Sequence, residues 1–245
     1  MSKKINIGKL LFVLSIPIVL ISLYLLATKT NEHDICNEVR FKFNYETEQP
    51  LLNEANIYKI LGMPLGSKNL IGKSSNMLNF NAMEKKLLAY STIKKAEIYL
   101  GMSGILKVDI TERNPILRVM PVSKLGYYIC DDGVKIPLSS NFSPNVIPAT
   151  GFMNDKIDRK IYCIVRFVNN NSFWKDQIQQ LFVSENQDIS FVPTIGVHEV
   201  ILGDTNNLEM KFNKLDLFYK KGLSKIGWDK YKSINLKYKG QVICK

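Results

Sequence analysis

One uninterrupted apolar run, Leu10 to Ala27, stands behind Lys3, Lys4 and Lys9 and ahead of a long polar tract. Most of its positions are Leu, Ile, Val or Phe. At roughly −0.3 to −0.6 kcal/mol each, they favour membrane insertion by about 4 to 8 kcal/mol. Pro17, Ser15 and Ser22 subtract from that sum without adding charge. With a rise of about 1.5 Å per residue, the run just crosses a hydrocarbon core of about 30 Å. It predicts a single N-terminal transmembrane helix over residues 10–28. Lys29 is followed closely by Glu32 and Asp34, so the positive-inside rule keeps residues 1–9 in the cytoplasm and exports the rest. A cleaved signal peptide would have a shorter apolar region ending in small residues. Ala27-Thr28-Lys29 is a poor cleavage site, and His33-Asp34-Ile35 before Cys36 is the wrong context for a lipoprotein.

The exported position limits what the charge can mean. The chain carries 33 Lys and Arg against 22 Asp and Glu, a net +11. The lysines are spread among the acids, with no basic stripe interleaved with stacking aromatics, and the compartment excludes a nucleic-acid role. The balance reads as a solvated surface that would tolerate an acidic partner. Cys36, Cys130, Cys163 and Cys244 lie far apart without a Cys-x-x-Cys, and only His33 and His198 could join them. A zinc site is therefore not expected, nor is any cofactor. Buried single thiols come first and a disulfide pair second, with no pairing singled out by the sequence.

About 210 residues remain for two small domains after a linker at 29–35. Cys36 to Phe43 alternates as a half-buried strand should. A helix follows around Asn53 to Leu61, with Asn53 or Asn56 as cap and Gly62 with Pro64 as stop. Residues 66–76 read as a loop, and Asn81 as the cap of a second helix carrying Met83, Leu87, Leu88 and Tyr90. Two strands, Ile93 to Leu100 and Ile105 to Thr111, turn at Gly101-Met102-Ser103-Gly104. The order β-α-α-β-β describes an α+β module over 36–113.

The part from 114 to 245 reads as a mixed β-rich domain with two helices. Its expected strands are Ile116 to Met120, Tyr127 to Cys130, Ile161 to Val168, Ile189 to Pro193, Val197 to Leu202 and Ile234 to Tyr238. One helix is expected from Ser172, with Trp174, Ile178, Leu181 and Phe182 on one face. In the other, Asn206 and Glu209 resemble a capping box, and Leu208, Phe212, Leu215 and Tyr219 make a face ending at Gly222.

Catalysis has little support, and no enzyme is expected. Ser91-Thr92-Ile93-Lys94 matches the Ser-x-x-Lys of penicillin-binding enzymes, and Ser139-Ser140-Asn141 could supply the Ser-x-Asn. No Lys-Ser/Thr-Gly follows, and Lys94 opens a strand where the nucleophile should open a helix. His198, in Gly196-Val197-His198-Glu199, has no nucleophile elbow to serve and reads as a satisfied structural histidine.

Several blocks in order resemble one family. Val108-Asp109-Ile110-Thr111-Glu112-Arg113-Asn114-Pro115 resembles the Val-x-Ile-x-Glu-Arg-x-Pro signature of FtsQ/DivIB proteins, the bitopic divisome proteins of bacterial cell division. Tyr127-Tyr128-Ile129 with Asp132-Gly133 resemble the family's strand-turn-strand pattern, and Pro137-Leu138-Ser139 resembles the Pro-Leu-Ser of its Bacteroidetes-type members. Phe173-Trp174-Lys175-Asp176-Gln177-Ile178, Val192 to Gly196, Leu202-Gly203-Asp204 and Tyr231 to Val242 continue it. Two departures are Asn235, where the family carries an acid, and Lys237, where it carries Arg.

The resemblance implies a POTRA domain over 36–113 and a β-domain over 114–245, both in the periplasm at the division septum. It implies a partner, the FtsB–FtsL pair, and through it the septal synthase FtsW–FtsI. It places the contact on the last strands, here Ile234, Asn235, Leu236, Lys237, Tyr238 and Lys239. An edge strand offers unpaired N–H and C=O groups to an incoming strand, and Tyr238 could anchor it. A second candidate edge is the POTRA strand with Lys94, Lys95, Glu97 and Tyr99. The competing expectations are a membrane-tethered POTRA-type chaperone or secretion adaptor, and a cell-wall serine enzyme.

Overall fold

The computed structural model describes residues 16–24 and 35–245. Residues 16–24 form a helix, with Ile16, Ile18, Val19, Leu20, Ile21, Leu23 and Tyr24 exposed. Among the described residues no helix is long and apolar enough to cross a membrane. The rest of the 10–28 span, the tail 1–9 and linker positions 29–34 lie outside the described residues.

The first globular unit is a three-stranded sheet with two helices on it. Strand β1 (Glu38–Asn44) runs parallel to β3 (Ile105–Glu112), which pairs antiparallel with β2 (Ile93–Leu100), giving the order β1-β3-β2. Helix α1 (Glu54–Leu61) starts with a reciprocal capping box. Asn56 N–H donates to Asn53 Oδ1 at 3.0 Å, and Asn53 N–H donates to Asn56 Oδ1 at 2.9 Å. Gly62 ends it in the left-handed region. Helix α2 (Phe80–Leu88) is capped by Asn79, whose side chain accepts from Ala82 N–H, and not by the expected Asn81. The sheet's inner residues, Ile93, Ile98, Leu106, Val108 and Ile110, meet Ile57, Tyr58 and Leu61 of α1 and Met83 and Leu87 of α2 in one core.

The second unit is a nine-stranded mixed sheet. Its strands are β4 (Pro115–Pro121), β5 (Tyr127–Cys130), β6 (Lys135–Pro137), β7 (Ile147–Gly151), β8 (Ile178–Val183), β9 (Ile189–Pro193), β10 (Glu199–Gly203), β11 (Ser233–Asn235) and β12 (Ile243–Cys244). Their spatial order is β12-β11-β10-β9-β8-β7-β4-β5-β6. Three pairs are parallel: β7–β8 and β10–β11 are joined through helices α3 (Asp155–Asn169) and α4 (Leu208–Phe218), and β4–β7 through the β5–β6 hairpin, each a long crossover of the kind parallel strands need. Both helices contribute to one core with the inner row Leu117, Val119, Leu181, Phe191, Val200 and Ile234. Gly151, at φ +114°, is obligatory, because a Cβ there would sit 2.0 Å from the Val183 carbonyl oxygen.

Several segments fold otherwise than their local sequence predicts. The run Ile161 to Val168 is not a strand but part of α3, where Ile157, Ile161, Ile164, Val165 and Val168 bury one helical face. Asn154 starts that helix by accepting from Lys156 and Ile157 N–H. The helix expected from Ser172 is a single 3-10 turn at Trp174–Asp176 followed by β8. Ile178, Leu181 and Val183 are buried in β8 while Phe182 is exposed. No capping box forms at Asn206, which bonds back to Asp204. Asn207 leads into α4 in the left-handed region. The helix does not stop at Gly222 but continues through a π turn (Tyr219–Leu223) and α5 (Ser224–Ile226).

The two units meet through a built joint. Leu51, 2% exposed, inserts among Tyr128, Cys130 and Ile136 of the second unit. Its N–H donates to Glu112 Oε2 at 2.7 Å, and the Leu52 N–H donates to Oε1 at 2.8 Å. The Leu51 carbonyl accepts from Ser139 Oγ at 2.6 Å. Arg113 donates from Nη1 to the Ser91 and Ile93 carbonyls, both at 2.6 Å, and from Nε to Asp132 at 2.9 Å. Burial pushes the Glu112 carboxyl above its usual range, against the opposing pull of its two N–H donors.

Candidate partner-binding edge

Ser233, Ile234 and Asn235 pair in parallel with Glu199, Val200 and Ile201 of β10. The Leu236 N–H extends this ladder by donating to the Ile201 carbonyl at 2.9 Å. Ile234 and Leu236 are buried in the large core, while Tyr238, which strict strand alternation would put on the same face, is 49% exposed. The strand expected over Ile234 to Tyr238 is shorter, because β11 ends at Asn235, the Leu236 N–H makes the final bond to β10, and the chain then turns at 239–240 toward β12. β12 pairs antiparallel with β11, Ile234 opposite Cys244 and Asn235 opposite Ile243. Among the described residues β12, not β11, therefore stands at the sheet's edge.

The lysines here have local partners. Lys237 Nζ lies 2.7 Å from Asp188 Oδ2, and that carboxylate holds the ammonium above its usual range. Its stem crosses Gly203, at φ +75°, where a Cβ would come within 2.6 Å of Lys237 Cγ. From α4, Lys214 Nζ donates to the carbonyls of Leu236, Tyr238 and Gln241 at 3.1, 2.7 and 2.8 Å. Burial, with Lys211 nearby, draws the Lys214 ammonium below its usual range. Lys211 spends its donors on the Leu202 and Asp204 carbonyls and the Asp204 carboxylate. Lys211, Lys214, Leu236, Lys237, Tyr238 and Lys239 are among the residues lining a pocket of about 80 Å³. Lys239 is exposed. Lys214 and Asp188 were not legible as parts of this surface, since both reach it only through non-local contacts.

The second candidate edge is built differently. β2 is a true edge strand of its sheet, paired only with β3 among the described residues. Lys95, Glu97 and Tyr99 are exposed and stand opposite Thr111, Asp109 and Lys107, with Lys107 Nζ 5.5 Å above the Tyr99 ring. Lys94 falls in a register shift between Ile93 and Lys95. The Ile98 N–H is occupied by Glu84 Oε1 of α2 at 2.7 Å. A bulge, charges and an occupied N–H are devices that protect an edge from casual pairing.

The residues weighed for serine chemistry serve the joint. The Ser91 carbonyl accepts from Arg113, and Ser139 Oγ donates to Leu51 O while accepting from Asn141 and Phe142 N–H. His198 is 1% exposed, with Nε2 2.7 Å from the Tyr219 hydroxyl, and burial draws its imidazole below the usual range. All four cysteines are free thiols, Cys36 and Cys130 buried and Cys163 exposed.

Residues 114–245, more than half of the chain, match the family model described as FtsQ/DivIB, C-terminal related. Residues 34–111 match a POTRA-like domain. The chain belongs to the FtsQ/DivIB family. No curated protein matches the chain. Membership assigns this FtsQ/DivIB protein to cell division, with a POTRA-like domain ahead of a β-rich one, and to a family that is generally non-enzymatic. The motif that first pointed to FtsQ/DivIB, around Glu112 and Arg113, is the joint between the two units.

Proposed function

We propose that this FtsQ/DivIB protein is a non-enzymatic divisome scaffold. Residues 10–28 anchor it once in the cytoplasmic membrane with the N-terminus inside. Residues 36–245 stand in the periplasm at the division septum. The β10–β12 end of the large sheet holds the FtsB–FtsL pair and, through it, the septal synthase FtsW–FtsI. The observation that carries this reading is the family match over 114–245, whose last part presents an exposed tyrosine beside a strand edge. Strand addition supplies main-chain hydrogen bonds, and an aromatic side chain at the rim supplies an anchor.

The test is binding of purified residues 29–245 to the exported parts of FtsB–FtsL from the same organism. A Tyr238→Ala copy is expected to bind about thirtyfold more weakly, the effect of losing a hot spot worth ~2 kcal/mol. A folded fragment that does not bind removes the mechanical basis of the assignment. Binding indifferent to Tyr238 but lost in Tyr99→Ala would move the contact to β2.

A further inference from the structure

The end of the large sheet is occupied by the chain itself, and the occupation is partial. Odd-numbered residues of β11 turn their backbone groups away from β10. The Ser233 N–H donates to the Lys245 carbonyl at 3.2 Å, and the Lys245 N–H returns a bond to the Ser233 carbonyl at 3.1 Å. The next outward position, Asn235, stands opposite Ile243. Beyond it the cover runs out: the Lys237 N–H is met by the side-chain oxygen of Asn235 at 3.0 Å instead of by a strand. β12 thus has two residues, against about five or six in a typical strand.

Positions 232–238 also have contacts to the domain besides that cover, although the Lys232 N–H donates to the Lys245 carbonyl at 2.7 Å and Lys214 also holds the Gln241 carbonyl at 2.8 Å. Ile234 and Leu236 are buried, and Lys214 binds the Leu236 and Tyr238 carbonyls from the helix side. The cover is less secure: Ile243 is 38% exposed, Val242 and Cys244 are only partly buried, and Lys245 is exposed. Lys230, Lys232, Lys239 and Lys245 are exposed around the hairpin, and none of these four is ion-paired among the described residues, whereas Lys237 is paired with Asp188 and Lys211 with Asp204.

We propose that β11 is the receiving edge for a partner strand. Residues 240–245 occupy that edge in the free protein, and an extended, acidic segment of the partner displaces them. The longer partner strand makes the Ser233 and Asn235 bonds that β12 makes and adds one at Lys237. Its alternate apolar side chains take the places of Val242 and Cys244 against the core, and its acids meet the unpaired lysines. This inference rests on the partner-binding reading above and adds to it that the free protein is self-covered.

The experiment locks and removes the cover in residues 29–245, with the FtsB–FtsL fragment as probe. Asn235→Cys with Ile243→Cys, in a Cys244→Ser background, places a disulfide across a directly opposed pair. The oxidised form is expected not to bind, and binding should return on reduction. A chain stopped after Lys239 should bind about tenfold tighter, because a competent state that is a minor fraction weakens apparent affinity by that fraction. Fluorescence of Trp174 and Trp228 establishes that each form is folded. Hydrogen exchange on the free protein should find the Lys245 and Ser233 amides less protected than that of Leu236. Equal binding by oxidised and reduced forms, or binding lost on stopping at Lys239, overturns displacement and makes β12 the platform. If no folded form binds, the partner reading itself fails, and displacement with it.

Discussion

Replacing Leu51 by Ala should uncouple the two globular units. The side chain is 2% exposed and belongs to the small cluster of Tyr128, Cys130 and Ile136, although its own backbone lies between β1 and α1. Buried Leu→Ala changes cost about 2–5 kcal/mol, depending on how far the site collapses. Here the walls stand on two paired strands, β5 and β6, which register Tyr128 against Ile136. Collapse is therefore limited, and the cost should be about 3 kcal/mol. Because the cluster joins two cores, the loss falls mainly on their coupling. Both tryptophans, Trp174 and Trp228, lie in the second unit, so their fluorescence in urea follows that unit alone, whereas far-UV circular dichroism follows both. The parent fragment should give coincident curves. In Leu51→Ala the dichroism should begin to fall at lower urea than the fluorescence. A change under about 1 kcal/mol, with the curves still coincident, would refute the idea that Leu51 pins the units together.

Two further predictions concern protonation. Glu112 is buried with a raised folded pKa, so the stability it contributes is full below its unfolded value and is lost as pH rises through the folded one. Glu112→Gln keeps one acceptor, should cost about 1–3 kcal/mol at pH 4–5 through the N–H left unmatched, and should narrow its gap to the parent as pH rises. Urea midpoints across pH 4–8 measure this, and a gap that widens with pH would contradict it. His198 shifts the other way, its folded pKa lowered by burial despite the Trp228 carbonyl and Asp229. Its contribution is present above the unfolded value and is lost as pH falls through the folded one. His198→Phe should flatten the stability profile below about pH 6.5 and cost roughly 1–3 kcal/mol at pH 8, where the buried Tyr219 hydroxyl loses its partner.

The POTRA-like unit was readable because its signals are local. The Asn53 cap, the Gly62 stop and the Gly101–Gly104 turn each act within a few residues, and the β-α-α-β-β order followed from them. The second unit misled where a short apolar run fits either period. Ile161 to Val168 is rich in β-branched residues yet lies in a helix, since Asn154 starts α3 seven residues earlier and its buried positions then recur at helical spacing. Trp174 to Phe182 shows the converse, with a strand formed because β7 and β9 stand ready on either side of it.

The candidate edge divides in the same way. The alternation of Ile234 and Leu236 was visible in the chain, but the same alternation would have put Tyr238 on their face, and the structure leaves it exposed. What neighbours β11 was not: Ile243 and Cys244 cover it, Asp188 holds Lys237 from 49 residues away, and Lys214 holds the loop from 22 residues away or more. By itself, then, the sequence determined the caps, the turns and the buried face of each strongly periodic segment, because those depend on neighbours a few positions apart. Only the tertiary structure decided which ambiguous runs became helix or strand and what lies along the sheet's edge. Those outcomes depend on hydrogen-bond partners and cores contributed by distant parts of the chain, which leave no local mark.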